Sequence, residues 1–168
     1  MPSYRAPLRD MQFVLHELLE IDTALAALPA HAGLDAATVN QVLEEGGKFT
    51  AEVLFPLNHA GDREGCHFEA ATHSVTTPKG FKEAYQQYCE GGWQSLQHPT
   101  EYGGQGLPKT IGAACGEILN SANLSFALCP LLTDGAIEAL LTAASDELKA
   151  VYLEKLISGE WTGTMNLT

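Results

Sequence analysis

Helical periodicity constrains this chain more than any other feature. Through most of its 168 residues, apolar side chains recur at three- and four-residue spacing, which gathers them on one face of a helix and scatters them across both faces of a strand. Stripes of this kind are buried by packing helix against helix. The predicted fold is therefore all-α and bundle-like, and a 45% apolar content suffices for one sizeable core.

Capping residues, prolines and glycines divide the pattern into elements. Asp10 is read as the N-cap of a first helix, with Met11, Val14, Leu15, Leu18 and Leu19 on one face and Pro29 closing it. Asp35 caps a second, whose Val39, Val42, Leu43, Phe49 and Val53 turn inward until Pro56 stops it. Gly46-Gly47 in its middle predicts either close helix packing or a bend. Residues 58–76 lose the period and read as an irregular connection. Thr77-Pro78 restarts a helix whose Phe81, Tyr85 and Tyr88 form a core stripe ending at Gly91-Gly92.

Residues 93–108 are a second irregular segment, with Gly103, Gly104 and Gly106 close together. The lysine and hydroxyl that finish a phosphate-binding P-loop are absent, which leaves a tight turn between helices as the plain reading. Helical spacing returns with Ile111, Ala114, Cys115, Ile118 and Leu119, and again from Phe126 to Leu141. That second stretch is apolar on most sides, so it is either buried all round or faces a ligand cavity as well as the core. Ser145 or Asp146 caps a last helix that stops at Ser158-Gly159.

The final eight residues change character. Thr162 and Thr164 fall on one face at period two, predicting that Trp161–Thr168 opens a β-strand. A lone strand cannot satisfy its own backbone, so the expected organisation is a helical domain over residues 1–159 and the start of a truncated β-domain over 160–168.

Charge and cysteine usage narrow the partners. A formal charge of -12 repels a phosphate backbone and argues against nucleic acid. By the sequence, no apolar run reaches the ~20 residues that span a bilayer, and no basic segment leads into a hydrophobic one, which predicts a cytoplasmic protein. Cys66, Cys89, Cys115 and Cys129 are too far apart for a zinc or redox motif, and the histidines are equally scattered. Free thiols and no metal are expected.

Gly92-Trp93, Pro99, Tyr102-Gly103-Gly104-Gln105-Gly106, the run Tyr152-Leu153-Glu154-Lys155-Leu156-Ile157-Ser158-Gly159-Glu160 and the terminal Met165-Asn166-Leu167-Thr168 occur in an order and spacing that resemble the amino-terminal part of an acyl-CoA dehydrogenase. Tyr4-Arg5-Ala6-Pro7-Leu8-Arg9-Asp10-Met11 and Gly61-Asp62-Arg63-Glu64-Gly65-Cys66 are similar to a longer-chain branch that includes 3-methylmercaptopropionyl-CoA and fatty-acyl enzymes.

The resemblance implies an FAD-dependent α,β-dehydrogenation of an acyl-CoA thioester, with electrons passed on to electron-transfer flavoprotein or a similar acceptor, in a homo-oligomer when complete. It implies that the catalytic glutamate belongs to a carboxy-terminal bundle, so no catalytic residue is expected in this fragment, which should be inactive alone and retain little FAD. Met165, Leu167 and Thr168 match the positions that contact flavin. Phe126, Ala127, Pro130, Leu131 and Asp134 match the helix that walls the acyl pocket, although Asp134 could instead cap the turn at Gly135. The rival reading is a free-standing helical binding or scaffold module that kept this core without its catalysis.

Overall fold

A computed structural model describes residues 3–164, and within them the architecture is helical with one small hairpin. α1 (Leu8–Gln12) runs without interruption into a π-helical turn, Phe13–Leu18. α2 (Ile21–Ala26) follows, and α3 (Ala36–Phe49) continues through a second π turn, Thr50–Leu54, into α4 (Phe55–Glu64). β1 (His67–Glu69) pairs antiparallel with β2 (Ser74–Thr76) in the register Phe68↔Val75. Then come α5 (Phe81–Glu90), α6 (Lys109–Ala122), α7 (Leu124–Ala143) and α8 (Asp146–Ser158).

Several boundaries differ from the sequence reading, each for a physical reason. The first helix is broken rather than continuous to Pro29: Glu20 adopts a left-handed conformation (φ 48°) and starts α2. Met11 and Leu15 are buried, whereas Val14, Leu18 and Leu19 lie exposed because the wider π turn rotates them off the inward face. Asp10 is not the cap; Pro7 occupies that position and Asp10 sits in the first turn. Pro56 does not stop the second helix. It stands in the first turn of α4, where a missing N–H costs least, and the preceding π turn absorbs the mismatch. The Thr50 hydroxyl donates to the Gly46 and Gly47 carbonyls at 2.9 and 3.1 Å within that widened segment.

The remaining corrections concern the connections. Residues 58–64 are helical, and 67–76 hold the hairpin instead of an irregular coil. Gly80, at φ 89°, is the N-cap of α5, two residues beyond Thr77-Pro78. Trp161–Thr164 form no strand, because Trp161 N–H bonds back to the Lys155 carbonyl (3.0 Å) and Gly163 N–H to the Thr133 hydroxyl (3.1 Å). The rest of that expected strand lies outside the described residues. α7, with 20 residues, is long and apolar enough by length and composition to cross a membrane, contrary to the sequence reading. It packs here against α6 and α8.

Other expectations hold. Asp35 accepts the Thr38 N–H at 2.8 Å, and that bond draws its carboxyl below the ordinary range. Gly46-Gly47 marks close packing: a Cβ on Gly46 would meet the Trp93 ring at 3.4 Å, and one on Gly47 would meet Ala6 Cβ at 3.1 Å. Ser145 caps α8, and Gly159 ends it in the left-handed region at φ 80°.

Among the described residues the core has three parts. Ala6, Met11, Leu15, Val39, Leu43, Ile111 and Ile118 join the amino-terminal helices to α3 and α6. Leu54, Ala84, Tyr88, Leu119, Phe126 and Ala127 join α5, α6 and α7, with the Tyr88 and Phe126 rings edge to face at 5.7 Å. Ile137, Leu153, Leu156 and Ile157 seal α7 against α8. α7 contributes to the second and third, which makes it the element around which the candidate site is built.

Candidate functional site

α7 begins at a buried cap. The Asn123 side chain accepts the Phe126 N–H at 3.0 Å and donates to the Leu54 carbonyl at 3.0 Å, fixing the helix start against the π turn that follows α3. Pro130 lies inside the helix and leaves one backbone bond unmade, and Thr133 adds one by donating its hydroxyl to the Cys129 carbonyl at 2.9 Å. Phe126, Ala127, Pro130, Thr133 and Ile137 face inward. Leu124, Leu128 and Leu131 face solvent, each about half exposed. Of the two alternatives left by the sequence, α7 is therefore not buried all round.

The structure brings together four of the five residues expected to wall an acyl pocket. Ala127, Pro130, Leu131 and Asp134 line one cavity of about 80 Å³, opposite Tyr88 and Gln94. Phe126 is separated from them. It borders a larger, mostly apolar groove of about 710 Å³ with Phe81, Tyr85, Cys66 and Cys129. Burial pushes the Cys115 thiol at the smaller cavity up to about 12 and raises the Tyr88 hydroxyl well above its usual value, so both stay protonated there.

Asp134 does not cap a turn. It sits mid-helix, and its carboxylate gathers three donors from residues 93–108: Gln94 Nε2 at 2.8 Å, Gln97 Nε2 at 3.0 Å and His98 Nε2 at 2.8 Å. A carboxylate only accepts, which assigns the hydrogen on His98 to Nε2. His98 is fully buried, and its Nδ1, like Gln94 Oε1, has no hydrogen-bond partner among the described residues. The glycine-rich turn is folded onto the same region: Gly104 N–H reaches the Pro99 carbonyl and Gly106 N–H the His98 carbonyl, both at 2.9 Å. A Cβ on Gly104 would fall 2.0 Å from the His98 carbonyl oxygen.

The sequence reading missed Gln94, Gln97, His98 and Thr133. A signal was present: Gln94, Gln97 and His98 stand at i, i+3 and i+4, the spacing that puts three polar side chains on one side of a helical turn, and α7 offers the acid they need. Its partner lies 36 residues on from His98, which no local pattern encodes.

Met165, Leu167 and Thr168, the positions matched to flavin contacts, lie outside the described residues. The chain leading to them is anchored at Gly163 on the inward face of α7, on the turn next to exposed Leu131. A flavin ring asks for apolar faces and main-chain or hydroxyl donors, and the exposed leucines beside a tethered main chain fit that requirement.

Residues 37–160 match a family model described as the acyl-CoA dehydrogenase N-terminal domain. The chain is 49% identical over 166 residues to a 3-methylmercaptopropionyl-CoA dehydrogenase of Ruegeria pomeroyi, covering 99% of this chain and 28% of that protein. It is 34% identical over 169 residues to a butyryl-CoA dehydrogenase of Syntrophomonas wolfei, covering 99% and 27%. A broad-specificity linear acyl-CoA dehydrogenase of Mycobacterium tuberculosis is 31% identical over 123 residues, 73% of this chain and 20% of that protein. The chain thus spans between a fifth and three tenths of the length of these relatives.

Proposed function

Given that the chain belongs to the acyl-CoA dehydrogenase family, as its amino-terminal domain, we propose that it supplies one wall of the active site of a cytoplasmic acyl-CoA dehydrogenase acting on a short acyl thioester such as 3-methylmercaptopropionyl-CoA. The observation that carries this reading is the convergence of Ala127, Pro130, Leu131 and Asp134 on a single cavity of about 80 Å³. The relatives named for 3-methylmercaptopropionyl-CoA and butyryl-CoA favour a short acyl chain in that cavity. Its apolar lining removes the acyl end from water, which favours binding in proportion to the apolar area covered.

Bound FAD would supply the hydride acceptor of the reaction. Met165, Leu167 and Thr168 would hold it, with Thr168 as a hydrogen-bond partner of the ring and the other two packing or offering main-chain groups. The exposed Leu124, Leu128 and Leu131 would be covered when the wall is complete, keeping water from the reacting carbons. Asp134 acts on structure: three donors occupy its oxygens, so it orients residues 93–108 instead of abstracting a proton. The base is the glutamate that the family places in its carboxy-terminal bundle, and the 168 residues alone are inactive. The complete enzyme is a homo-oligomer that passes its electrons to electron-transfer flavoprotein or a similar acceptor.

The test is purification of the full-length protein encoded with this domain. A yellow protein whose flavin absorbance is bleached anaerobically by 3-methylmercaptopropionyl-CoA or butyryl-CoA supports the proposal. A protein of full length that binds no flavin and is indifferent to every acyl-CoA refutes it.

A further inference from the structure

We infer that Thr133 and Gly163 form a latch that positions the flavin-contacting segment relative to the acyl wall; the inference rests on the functional reading above and adds residues that it does not contain. Thr133 is fully buried on the inward face of α7. Its hydroxyl donates to the Cys129 carbonyl at 2.9 Å, an arrangement that already satisfies a threonine in an apolar helix. That bond orients the remaining lone pairs, and one accepts the Gly163 N–H at 3.1 Å, thirty positions along the chain.

Gly163 fits its place because it has no side chain. A Cβ there would lie 2.5 Å from Ala136 Cβ and 3.4 Å from Thr133 Cα, so the main chain rests on α7 at a distance only glycine permits. Just upstream, Trp161 N–H bonds to the Lys155 carbonyl at 3.0 Å, and its ring lies 5.8 Å from Tyr152 with the Lys155 ammonium 4.7 Å above it. One anchor on α8 and one on α7 therefore fix the height and direction of the chain two residues before Met165. Asp134, adjacent to Thr133, lines the cavity and holds residues 93–108. A single turn of helix thereby carries both the cavity-lining Asp134 and the anchor of Gly163.

The experiment uses the full-length protein with FAD removed and added back, reading FAD affinity by fluorescence quenching and the melting temperature of the flavin-free form. Thr133→Val should bind FAD about fivefold more weakly, the effect of one lost hydrogen bond, with the flavin-free melting temperature little changed. Thr133→Ser should restore wild-type affinity. Gly163→Ala should weaken FAD binding about tenfold, since overpacking costs more than the lost bond, and Ala136→Gly in the same chain should recover most of it. Wild-type affinity in both Thr133→Val and Gly163→Ala overturns the latch while leaving the functional reading intact. So does an affinity loss that Thr133→Ser shares or that merely follows a collapse in melting temperature. A wild-type protein that takes up no FAD overturns the functional reading, and the latch with it.

Discussion

Two segments of this chain lack helical periodicity, and they are built in opposite ways. Residues 93–108 have almost no regular structure beyond a single 3₁₀ turn at Thr100–Tyr102, yet Gln94 and His98 are buried and three of the segment's side chains converge on Asp134. Residues 65–77 contain a regular antiparallel hairpin, yet nearly every residue is exposed, including Phe68 and Val75 at 59% and 61%. Regular hydrogen bonding therefore says little about which segment is fixed. The first is held by long-range polar bonds to a helix; the second is held mainly by itself.

Mutations should separate the two sharply. Asp134→Ala leaves the Gln94, Gln97 and His98 donors without their acceptor, and its partial exposure lets water relieve some of the loss, so about 4 kcal/mol of stability should disappear in denaturant unfolding. Gly104→Ala drives a Cβ into the His98 carbonyl, a backbone group that cannot swing aside, and should cost about 3 kcal/mol. A loss below about 1 kcal/mol in both would show that residues 93–108 are as loosely held as the hairpin.

Ala127→Phe fills the cavity from the α7 side and should raise KM for a short acyl-CoA about tenfold in the full-length enzyme, with FAD content unchanged. An unchanged KM would detach the cavity from substrate binding.

Alkaline pH probes the same buried region more gently. Burial lifts the Cys115 thiol from its ordinary 9.0 to about 12, so the folded state holds this proton more tightly than the unfolded chain. Its contribution is complete below about pH 9 and is lost as the pH climbs toward 12, and Cys115→Ala should flatten that part of the stability profile. The smallest effect belongs to the hairpin: Phe68→Ser and Val75→Ser should each change stability by no more than about 0.5 kcal/mol, checked by thermal unfolding. A larger loss would mean that the hairpin braces the fold.

What could be read from the sequence follows the same division. Apolar spacing located α3, α5, α6, α7 and α8, and local caps such as Asp35 and Ser145 marked their starts, because these signals act within four residues. The π turns at Phe13–Leu18 and Thr50–Leu54 were not legible; they let helices run past a proline and turned Val14 and Leu18 outward, against a period that assumes 3.6 residues per turn. At the candidate site, Ala127, Pro130, Leu131 and Asp134 were expected to lie together and do line one cavity, but Asp134's partners and the Thr133–Gly163 contact were not legible. Both depend on which segments meet after folding. Phe126 shows the converse: adjacent in sequence to Ala127, it faces a different groove.

The central claim is that the cavity behind α7, rather than the larger apolar groove beside the hairpin, receives the acyl end. The full-length protein loaded with an acyl-CoA carrying a diazirine at the end of a short chain, then irradiated and digested, tests it directly. The account predicts labelling at Ala127, Leu131 or neighbouring cavity residues such as Gln94. Labelling concentrated on Phe81, Cys66 or Cys129, around the other groove, would contradict it.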